Sequence, residues 1–203
     1  MESHELVWLA VFVPIVGAFL LPLMGAVSKG GRNLCAFALV GFSLLCSCLL
    51  LSPVLHGESV SLSLPFLAGN NLFLADRLAV FMAIVSSLVG AVIVLYSMGY
   101  INHYKNQNEY YFIVVLFLGS MMGIVYSANL ILIYLFWEIT AIACWRLIGF
   151  FREKTCVLRA DKAFLVTGFG AFVMLIGFVM LYDQYGSFDL QVIKTASAVH
   201  PVA

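Results

Sequence analysis

The sequence predicts an all-α, polytopic transmembrane helix bundle of about six spans. Of the 203 residues, 64% are hydrophobic and only 10% are charged, whereas soluble domains carry roughly 25% charged residues. Six apolar stretches are each about 20 residues long, which is the length that a helix needs to cross the hydrocarbon core of a bilayer. The alternating segments of about ten residues that build a membrane β-barrel are absent from the sequence. Helices are therefore the predicted spanning elements.

The six predicted spans follow one another with short polar junctions. In chain order they cover residues 6–27, 34–51, 78–101, 111–127, 130–150 and 163–182. Residues 28–32 form a polar junction after the first span, Asp76 is placed to cap the third, and residues 127–129 predict a tight turn before the fifth. The connection 52–75 alternates serine with apolar residues and predicts a short β-hairpin. The acidic N-terminus lacks the basic start of a secretory signal, so the first span is expected to be retained.

The charges cancel overall but are unevenly distributed. Ten basic and ten acidic residues give no net charge, so no field attracts nucleic acid and no nucleic-acid partner is expected. One side of the predicted bundle holds only Arg77 and Lys194, and the other holds Lys29, Arg32, Lys105, Arg146, Arg152, Lys154, Arg159 and Lys162. By the positive-inside rule, both termini are expected outside.

Glu138 is the predicted functional centre because it lies almost midway along the fifth span. An acidic side chain at that depth costs on the order of 2.5–3.5 kcal/mol on insertion scales. One interpretation is a protonated glutamate that hydrogen-bonds to a neighbouring helix. The other is a carboxylate that takes up and releases a translocated proton, which is the usual role of intramembrane carboxylates.

Two cations are candidate supporting charges for Glu138. Arg146 lies eight residues on, about 12 Å along the helix axis and about 80° around it, so it is not expected to touch Glu138 directly. It either extends to the interface or lies at the mouth of an ion path. Lys162 begins the sixth predicted span and either pairs with Asp161, anchors the helix end, or points inward toward Glu138.

The sequence contains no sign of a cofactor, a metal site or a catalytic site. Its five cysteines lie mostly in apolar runs, and Cys46 and Cys48 are separated by one residue, where zinc and redox pairs usually have two. The four histidines lie in loops or tails, whereas a b-type haem needs histidines that face each other within spans. No phosphate-binding glycine loop or nucleophile elbow is present. The chain is therefore expected to perform no redox chemistry itself.

Several motifs carry a family resemblance. They are Ala75-Asp-Arg-Leu-Ala79, Tyr96-Ser-Met-Gly-Tyr-Ile101, Ala128-Asn-Leu-Ile-Leu-Ile-Tyr-Leu-Phe-Trp-Glu-Ile-Thr140 with Leu147-Ile-Gly-Phe150, and Lys162-Ala-Phe-Leu-Val-Thr167. Over residues 74–190 the sequence resembles the N-terminal part of the antiporter-like subunits of respiratory complex I, multisubunit sodium/proton antiporters and membrane-bound energy-converting hydrogenases. It resembles the chain 5 (subunit L) type most.

The resemblance implies a role for Glu138 and a larger fold around it. In the family, the matching glutamate belongs to a line of charged groups at the membrane midplane and pairs with a lysine on a later broken helix. Lys162 matches a lysine on the sixth helix. Subunit L members usually carry an arginine and an aspartate where this chain has Gly168 and Ala171, which places coupling through this helix in question. Family members have about fourteen spans built on inverted repeats, so this bundle is expected to be incomplete by comparison.

The resemblance also implies partners and a location. The chain is expected in a bacterial or archaeal cytoplasmic membrane, among other membrane subunits, with a partner chain that supplies the later helices. Residues 1–73 are interpreted as two helices and an external loop, residues 74–190 as the antiporter-like core, and residues 191–203 as an external tail.

Three functions remain open from the sequence. The first is a proton- or sodium-translocating subunit of a redox-driven complex, such as an NADH:quinone oxidoreductase or a membrane-bound hydrogenase. The second is a non-conducting assembly scaffold that docks other subunits through small residues at Gly119, Gly123, Gly168 and Gly170. The third is the membrane subunit of an energy-coupled system for inorganic-carbon uptake.

Overall fold

The computed structural model describes residues 3–57, 59–63, 71–104 and 106–199, which form seven α-helices and one two-stranded sheet. In chain order the elements are α1 (Ser3–Val27), α2 (Lys29–Leu55), β1 (Val60–Ser63), β2 (Asn71–Ala75), α3 (Arg77–Tyr100), a 3-10 turn (Ile101–His103), α4 (Gln107–Tyr126), α5 (Leu130–Ile148), α6 (Lys154–Tyr185) and α7 (Leu190–Val199). Helices α1 to α6 are each long and apolar enough to cross a membrane. The predicted fold class is confirmed, and the chain is an integral membrane protein.

Polar caps begin three of the spanning helices at the predicted junctions. The Ser28 hydroxyl accepts a hydrogen bond from the Gly31 N–H at 3.3 Å. Asp76 accepts from the Ala79 N–H at 2.7 Å. Asn129 accepts from the Ile131 N–H at 2.9 Å. Each cap satisfies a backbone donor that the first turn of a helix leaves unpaired.

The sixth helix is longer than the predicted span. The prediction began at residue 163, whereas α6 begins at Lys154, because residues 154–162 are mostly good helix formers despite their polarity. The apolar stretch therefore marked the lipid-crossing part and missed the polar turns before it. Lys162 consequently lies in the third turn of α6, not at its start. The tail also contains a helix, α7, which is too short to span a bilayer.

The bundle has a packed inner part and a peripheral helix. Helix α1 packs on α2 and α4, α2 packs on α3, and α5 packs on α4 and α6. Two clusters of buried side chains fill the space between the first four helices, one around Phe73 and Tyr126 and the other around Leu21 and Tyr111. In α6, by contrast, only Ala160 and Ala171 are buried. Most of the α6 surface is left uncovered by the described chain.

The predicted β-hairpin is present and inserts a side chain into the bundle. Strands β1 and β2 pair antiparallel, with Leu62 opposite Phe73. The ring centroid of Phe73 lies 5.5 Å from that of Trp8, 6.1 Å from that of Phe12 and 6.4 Å from that of Phe136. The hairpin is therefore attached to α1 and α5 through a buried aromatic cluster. The predicted connection around Pro65 lies outside the described residues.

The two ends of the bundle differ in composition. The "basic end" comprises Ser28, residues 101–104 and 106, residues 149–153 and the adjoining helix ends, and the "hairpin end" comprises β1, β2, residues 127–129 and residues 186–189. The alternating direction of the helices brings the predicted basic side together at one end. There, α2 and α4 begin next to each other, since Arg32 donates to the Asn108 side chain at 2.5 Å.

The four glycines at which the sequence predicts docking of other subunits differ in their surroundings. A Cβ atom on Gly119 would lie 2.7 Å from the Ile15 side chain, and one on Gly123 would lie 2.6 Å from the Phe136 ring. These two glycines allow α4 to approach α1 and α5 within this chain, so their small size serves internal packing. Gly168 and Gly170 on α6 have nothing within 4 Å of such an atom.

Gly119→Ala is expected to destabilise the bundle by about 1–3 kcal/mol, the usual range for overpacking. The added methyl group would lie 3.0 Å from the Ile15 backbone nitrogen, which cannot move aside as a side chain does. Thermal unfolding in detergent, followed by tryptophan fluorescence, measures the change. Gly168→Ala is the matched control and is expected to be neutral or stabilising by up to about 1 kcal/mol through helix propensity. Equal melting temperatures for the two variants would contradict the close α1–α4 contact.

Candidate functional site

Glu138 lies in the middle of α5, as the ninth of its nineteen residues. Its side chain is half-buried. Phe136, Thr140 and Ala143, which lie on the opposite side of the helix, are buried. Helix α5 therefore packs on the bundle with one side and carries the Glu138 carboxylate on the opposite side.

The Glu138 side of α5 is apolar and uncovered by the described chain. Ile131, Leu135 and Ile142 lie seven and three residues before and four residues after Glu138, so they share its face of the helix. Their exposed fractions are 48%, 52% and 51%. A carboxylate on such a face would meet lipid unless another helix covered it, which is an expensive arrangement.

Tyr134 is the polar neighbour of Glu138. It lies one turn earlier on α5, and its hydroxyl group interacts with the Glu138 carboxylate. A phenol donates one hydrogen bond and carries no positive charge at neutral pH. Glu138 therefore has a hydrogen-bonding neighbour on its own helix, but no cation forms an ion pair with it in the described part of the chain.

Arg146 is engaged elsewhere, in a cluster at the basic end. Its Nε and Nη2 atoms both donate to Oε1 of Glu109 in the first turn of α4. Arg152, after the end of α5, donates to the other oxygen of Glu109 at 2.8 Å. Arg152 has a backbone φ of 55°, which is unusual for a non-glycine residue. As expected, Arg146 does not touch Glu138; it ties the end of α5 to the start of α4.

Lys162 is exposed on α6 and forms no ion pair within the described ranges. Its neighbour Asp161 instead accepts a hydrogen bond from the Trp145 indole at 2.9 Å, which connects α6 to α5. Of the alternatives raised by the sequence, pairing of Lys162 with Asp161 is therefore wrong. Within this chain, the structure does not bring Lys162 and Glu138 together.

Gly168 and Ala171, the two positions at which the resemblance implies charges, also lie on α6. Ala171 is buried and Gly168 is half-buried. Neither side chain can carry a charge toward α5. A line of charges along α6 is therefore missing from this chain at these two positions.

Sequence reasoning did not anticipate Glu109 or Tyr134. A signal existed for Tyr134, because a residue four positions from Glu138 on a helix faces the same side. For Glu109 the signal was weaker: it is an acidic residue in the first turn of α4, on the side of the bundle that holds most of the basic residues. Which arginines it would bind depended on the packing of α4 against α5.

Glu109→Gln is expected to lower the stability of the folded chain by about 1–2 kcal/mol, because it removes the negative charge that pairs with both arginines. The effect is no larger because water partly screens these ion pairs. The side chain of Glu109 is 27% exposed and that of Arg146 is 35% exposed. Thermal unfolding at low salt measures the effect, which should shrink at 1 M salt. Glu153→Gln, which removes an exposed carboxylate at the same end, is the control. A Glu109→Gln variant as stable as Glu153→Gln would show that the cluster contributes nothing.

Two family models match this chain. The model described as NADH:quinone oxidoreductase/Mrp antiporter, transmembrane, matches residues 127–201, which include α5, Glu138 and α6. The model described as the N-terminus of chain 5 of NADH-ubiquinone oxidoreductase (complex I) matches residues 69–111. The two matches cover most of the segment that carries the sequence motifs.

Curated relatives align along nearly the whole chain. The Na(+)/H(+) antiporter subunit A1 of Staphylococcus haemolyticus (strain JCSC1435) is 31% identical over 203 residues, which is 96% of this chain and 25% of that protein. The subunit of the same name from Staphylococcus aureus is 30% identical with the same coverage. The chain thus spans a quarter of the length of these relatives.

A solved structure shares the fold. A chain of the membrane-bound sulfane sulfur reductase, an archaeal respiratory membrane complex, superposes with a TM-score of 0.84 at 18% identity. The superposition covers 96% of this chain and 41% of that chain. Together with the two family matches and the predicted motifs, these similarities show that the chain belongs to the antiporter-like membrane subunit family of complex I chain 5 and the multisubunit sodium/proton antiporters, and that it matches the N-terminal part of the longer members.

Proposed function

We propose that the chain is a proton- or sodium-translocating membrane subunit of a multisubunit complex, with Glu138 as the group that changes its protonation. One observation carries the proposal: Glu138 is a carboxylate in mid-span, on an apolar face, without a cation in reach among the described residues. A group held in this way changes protonation when a charge approaches or leaves. Ion translocation by relays of carboxylates uses this response.

The missing counter-charge is proposed to come from another helix that covers the open side of α5. Ile131, Leu135 and Ile142 give this side the apolar surface that helix packing needs. Covering it would also remove Glu138 from lipid. The family resemblance implies a lysine on a later broken helix, either further along a longer polypeptide or on a partner subunit. Arg146 and Lys162 are proposed as supporting charges, Arg146 through its ion pair with Glu109 and Lys162 as an accessible cation near the basic end.

The membrane and its sidedness belong to the same proposal. The basic end, with Lys29, Arg152 and Lys154, is proposed to face the cytoplasm by the positive-inside rule. Both ends of the chain would then lie outside a bacterial or archaeal cytoplasmic membrane. A cysteine placed at Ser59, in the connection between α2 and β1, should react with a membrane-impermeant thiol reagent on whole cells if the proposal is right.

Transport by the complex that contains this chain tests the function. The complex is purified gently, its chains are identified, and it is reconstituted into vesicles that carry a pH-sensitive dye. One arm adds NADH and a quinone, and the other imposes a sodium gradient without an electron donor. Proton movement in the first arm assigns a redox-driven complex, and movement only in the second assigns an antiporter. Equal rates in complexes with and without this chain would overturn the proposal.

A scaffold function is the second candidate, and the surface of α6 favours it. Only two of its 32 residues are buried, and Gly168 and Gly170 have open space where another helix can approach closely. Gly168→Leu, with Gly41→Leu as a control at another glycine with open space around it, separates the candidates. A scaffold predicts loss of assembly in the α6 variant and normal ion transport by the complex when Glu138 is replaced.

A further inference from the structure

A polar cavity of about 630 Å³ lies at the basic end, away from Glu138. The first turns of α2 and α4 and the connection that follows α3 line it. Lys29 and Arg32 come from α2, His103 comes from the connection, and Gln107 and Asn108 come from α4. Cationic and amide groups therefore converge on one space, and neither the proposed ion path nor the Glu109 cluster accounts for it.

Arg32 is the central feature of this cavity. It is only 1% exposed, and its guanidinium group donates to three side-chain amide oxygens: to Asn33 at 2.7 Å, to Gln107 at 2.9 Å and to Asn108 at 2.5 Å. The group also lies 4.7 Å above the centre of the Tyr111 ring. All of these partners are neutral. No carboxylate in the described residues pairs with Arg32, so a buried positive charge lacks the counter-charge that such a group normally has.

Among the described residues that line the cavity, Glu109 is the one carboxylate, and it is already neutralised. Glu109 is shared by Arg146 and Arg152, which together carry more positive charge than it supplies. Lys29 is exposed at the rim and forms no ion pair in the described part of the chain. The cavity and its immediate surroundings are therefore positive overall.

The helix ends add to this potential. Helices α2 and α4 both begin at the cavity, and a helix N-terminus carries unpaired N–H donors and a partial positive charge. Asn106, which precedes α4, makes no side-chain capping hydrogen bond. The first N–H groups of a twenty-residue helix are thus free of a side-chain cap at the place where Arg32 lacks a counter-charge. A phosphate group satisfies both needs at once.

We propose that this cavity binds a phosphate group, with Arg32 and Lys29 as its charged contacts and the N-terminus of α4 as its backbone contact. The same chemistry is offered by an anionic phospholipid headgroup and by free phosphate. The headgroup is the expected source, because the cavity lies at the ends of two membrane-spanning helices and is lined by Tyr104, and tyrosine rings are enriched at the membrane–water boundary. The site does not depend on ion translocation by Glu138.

Lipid retention by the purified 203-residue chain tests the site. Native mass spectrometry measures the binding of phosphatidylglycerol and of phosphatidylcholine with the same acyl chains. Phosphatidylglycerol is expected to bind about tenfold more tightly. Lys29→Gln should weaken its binding by about fivefold, the contribution of one cation at the membrane surface. Lys154→Gln is the matched control, since Lys154 is exposed at the same end but does not line the cavity; less than a twofold change is expected.

A competition arm identifies the source of the phosphate group. If inorganic phosphate at millimolar concentration displaces phosphatidylglycerol from the native chain but not from Lys29→Gln, the site is a phosphate site open to the aqueous phase. If it does not displace the lipid, the headgroup is the ligand. Equal retention of the two lipids, or equal weakening by Lys29→Gln and Lys154→Gln, would overturn the proposal.

Arg32→Gln provides a second variant with a larger expected effect. It keeps amide hydrogen bonding toward α4 but removes the buried charge, so phosphatidylglycerol binding should fall about tenfold or more. Elution volume and helix content check that the variant is folded. Arg32 also holds α2 against α4, so Arg32→Gln can fail to fold. In that case the comparison of phosphatidylglycerol binding by Lys29→Gln and Lys154→Gln tests the proposal.

Discussion

A complex that carries Glu138→Gln is expected to assemble at native levels and to lose most of its ion transport. Glutamine has nearly the shape of glutamate and keeps a hydrogen-bonding group beside Tyr134, but it cannot take up or release a proton. Because the face that carries Glu138 is otherwise apolar, replacing the carboxylate removes a cost of insertion and leaves packing unchanged. Assembly and transport should therefore separate in this variant, and transport should fall by at least about tenfold, as for loss of an essential proton carrier.

Vesicle transport and complex assembly have to be measured on the same preparation. Dye quenching reports proton movement, and native gel migration reports assembly. Glu153→Gln is the matched control, because Glu153 is an exposed carboxylate at the basic end and makes no side-chain capping bond. It should transport normally. Normal transport by Glu138→Ala, with the variant chain present in the complex, would exclude Glu138 as the translocating group.

The fold follows from the sequence because one physical requirement dominates it. Backbone polar groups in lipid must pair internally, so an apolar stretch of spanning length has to be a helix. That requirement predicts all six spanning helices, and local side-chain chemistry predicts the cap at Asp76 and the tight turn at residues 127–129. The start of α6 was missed because residues 154–162 are polar yet helical, and hydropathy measures the part of a helix in lipid rather than its full length.

The contacts that hold the helices together are less accessible to sequence reasoning. Arg32 and Gln107 are 75 residues apart, and Glu109 and Arg146 are 37 apart. No local pattern states which of several basic residues meets which acidic or amide group. The same reason explains why Glu138 was identified and its surroundings were not. An acidic residue in an apolar run can be recognised in the sequence alone. The uncovered side of α5 can be recognised only when the helices that pack against α5 are known.

Asp189→Ala is expected to lower the free energy of unfolding by about 3 kcal/mol, more than Gly119→Ala or Glu109→Gln. Asp189 is only 1% exposed. Its carboxylate accepts the Asn71 N–H of β2 and the Gln191 N–H of α7, each at 2.8 Å. Removing the carboxylate leaves two part-buried backbone donors without their partner. The substitution should therefore loosen the hairpin end, where the backbone of residues 128–130 also bonds to Leu72, Phe188 and Leu190.

The effect of Asp189 should be local in origin and distinguishable from a general loss of negative charge. Asp183→Ala removes an exposed carboxylate near the end of α6 and is expected to change stability by less than about 0.5 kcal/mol. The stability of Asp189→Asn should fall between those of Asp189→Ala and Asp183→Ala. Its amide has one oxygen in place of two, so it can accept only one of the two backbone hydrogen bonds. Hydrogen exchange should show faster exchange at Asn71 and Gln191 in Asp189→Ala and unchanged exchange in the first turn of α4, at the opposite end. Uniformly faster exchange at both ends would mean that Asp189 stabilises the whole bundle rather than the junction from which α5 begins.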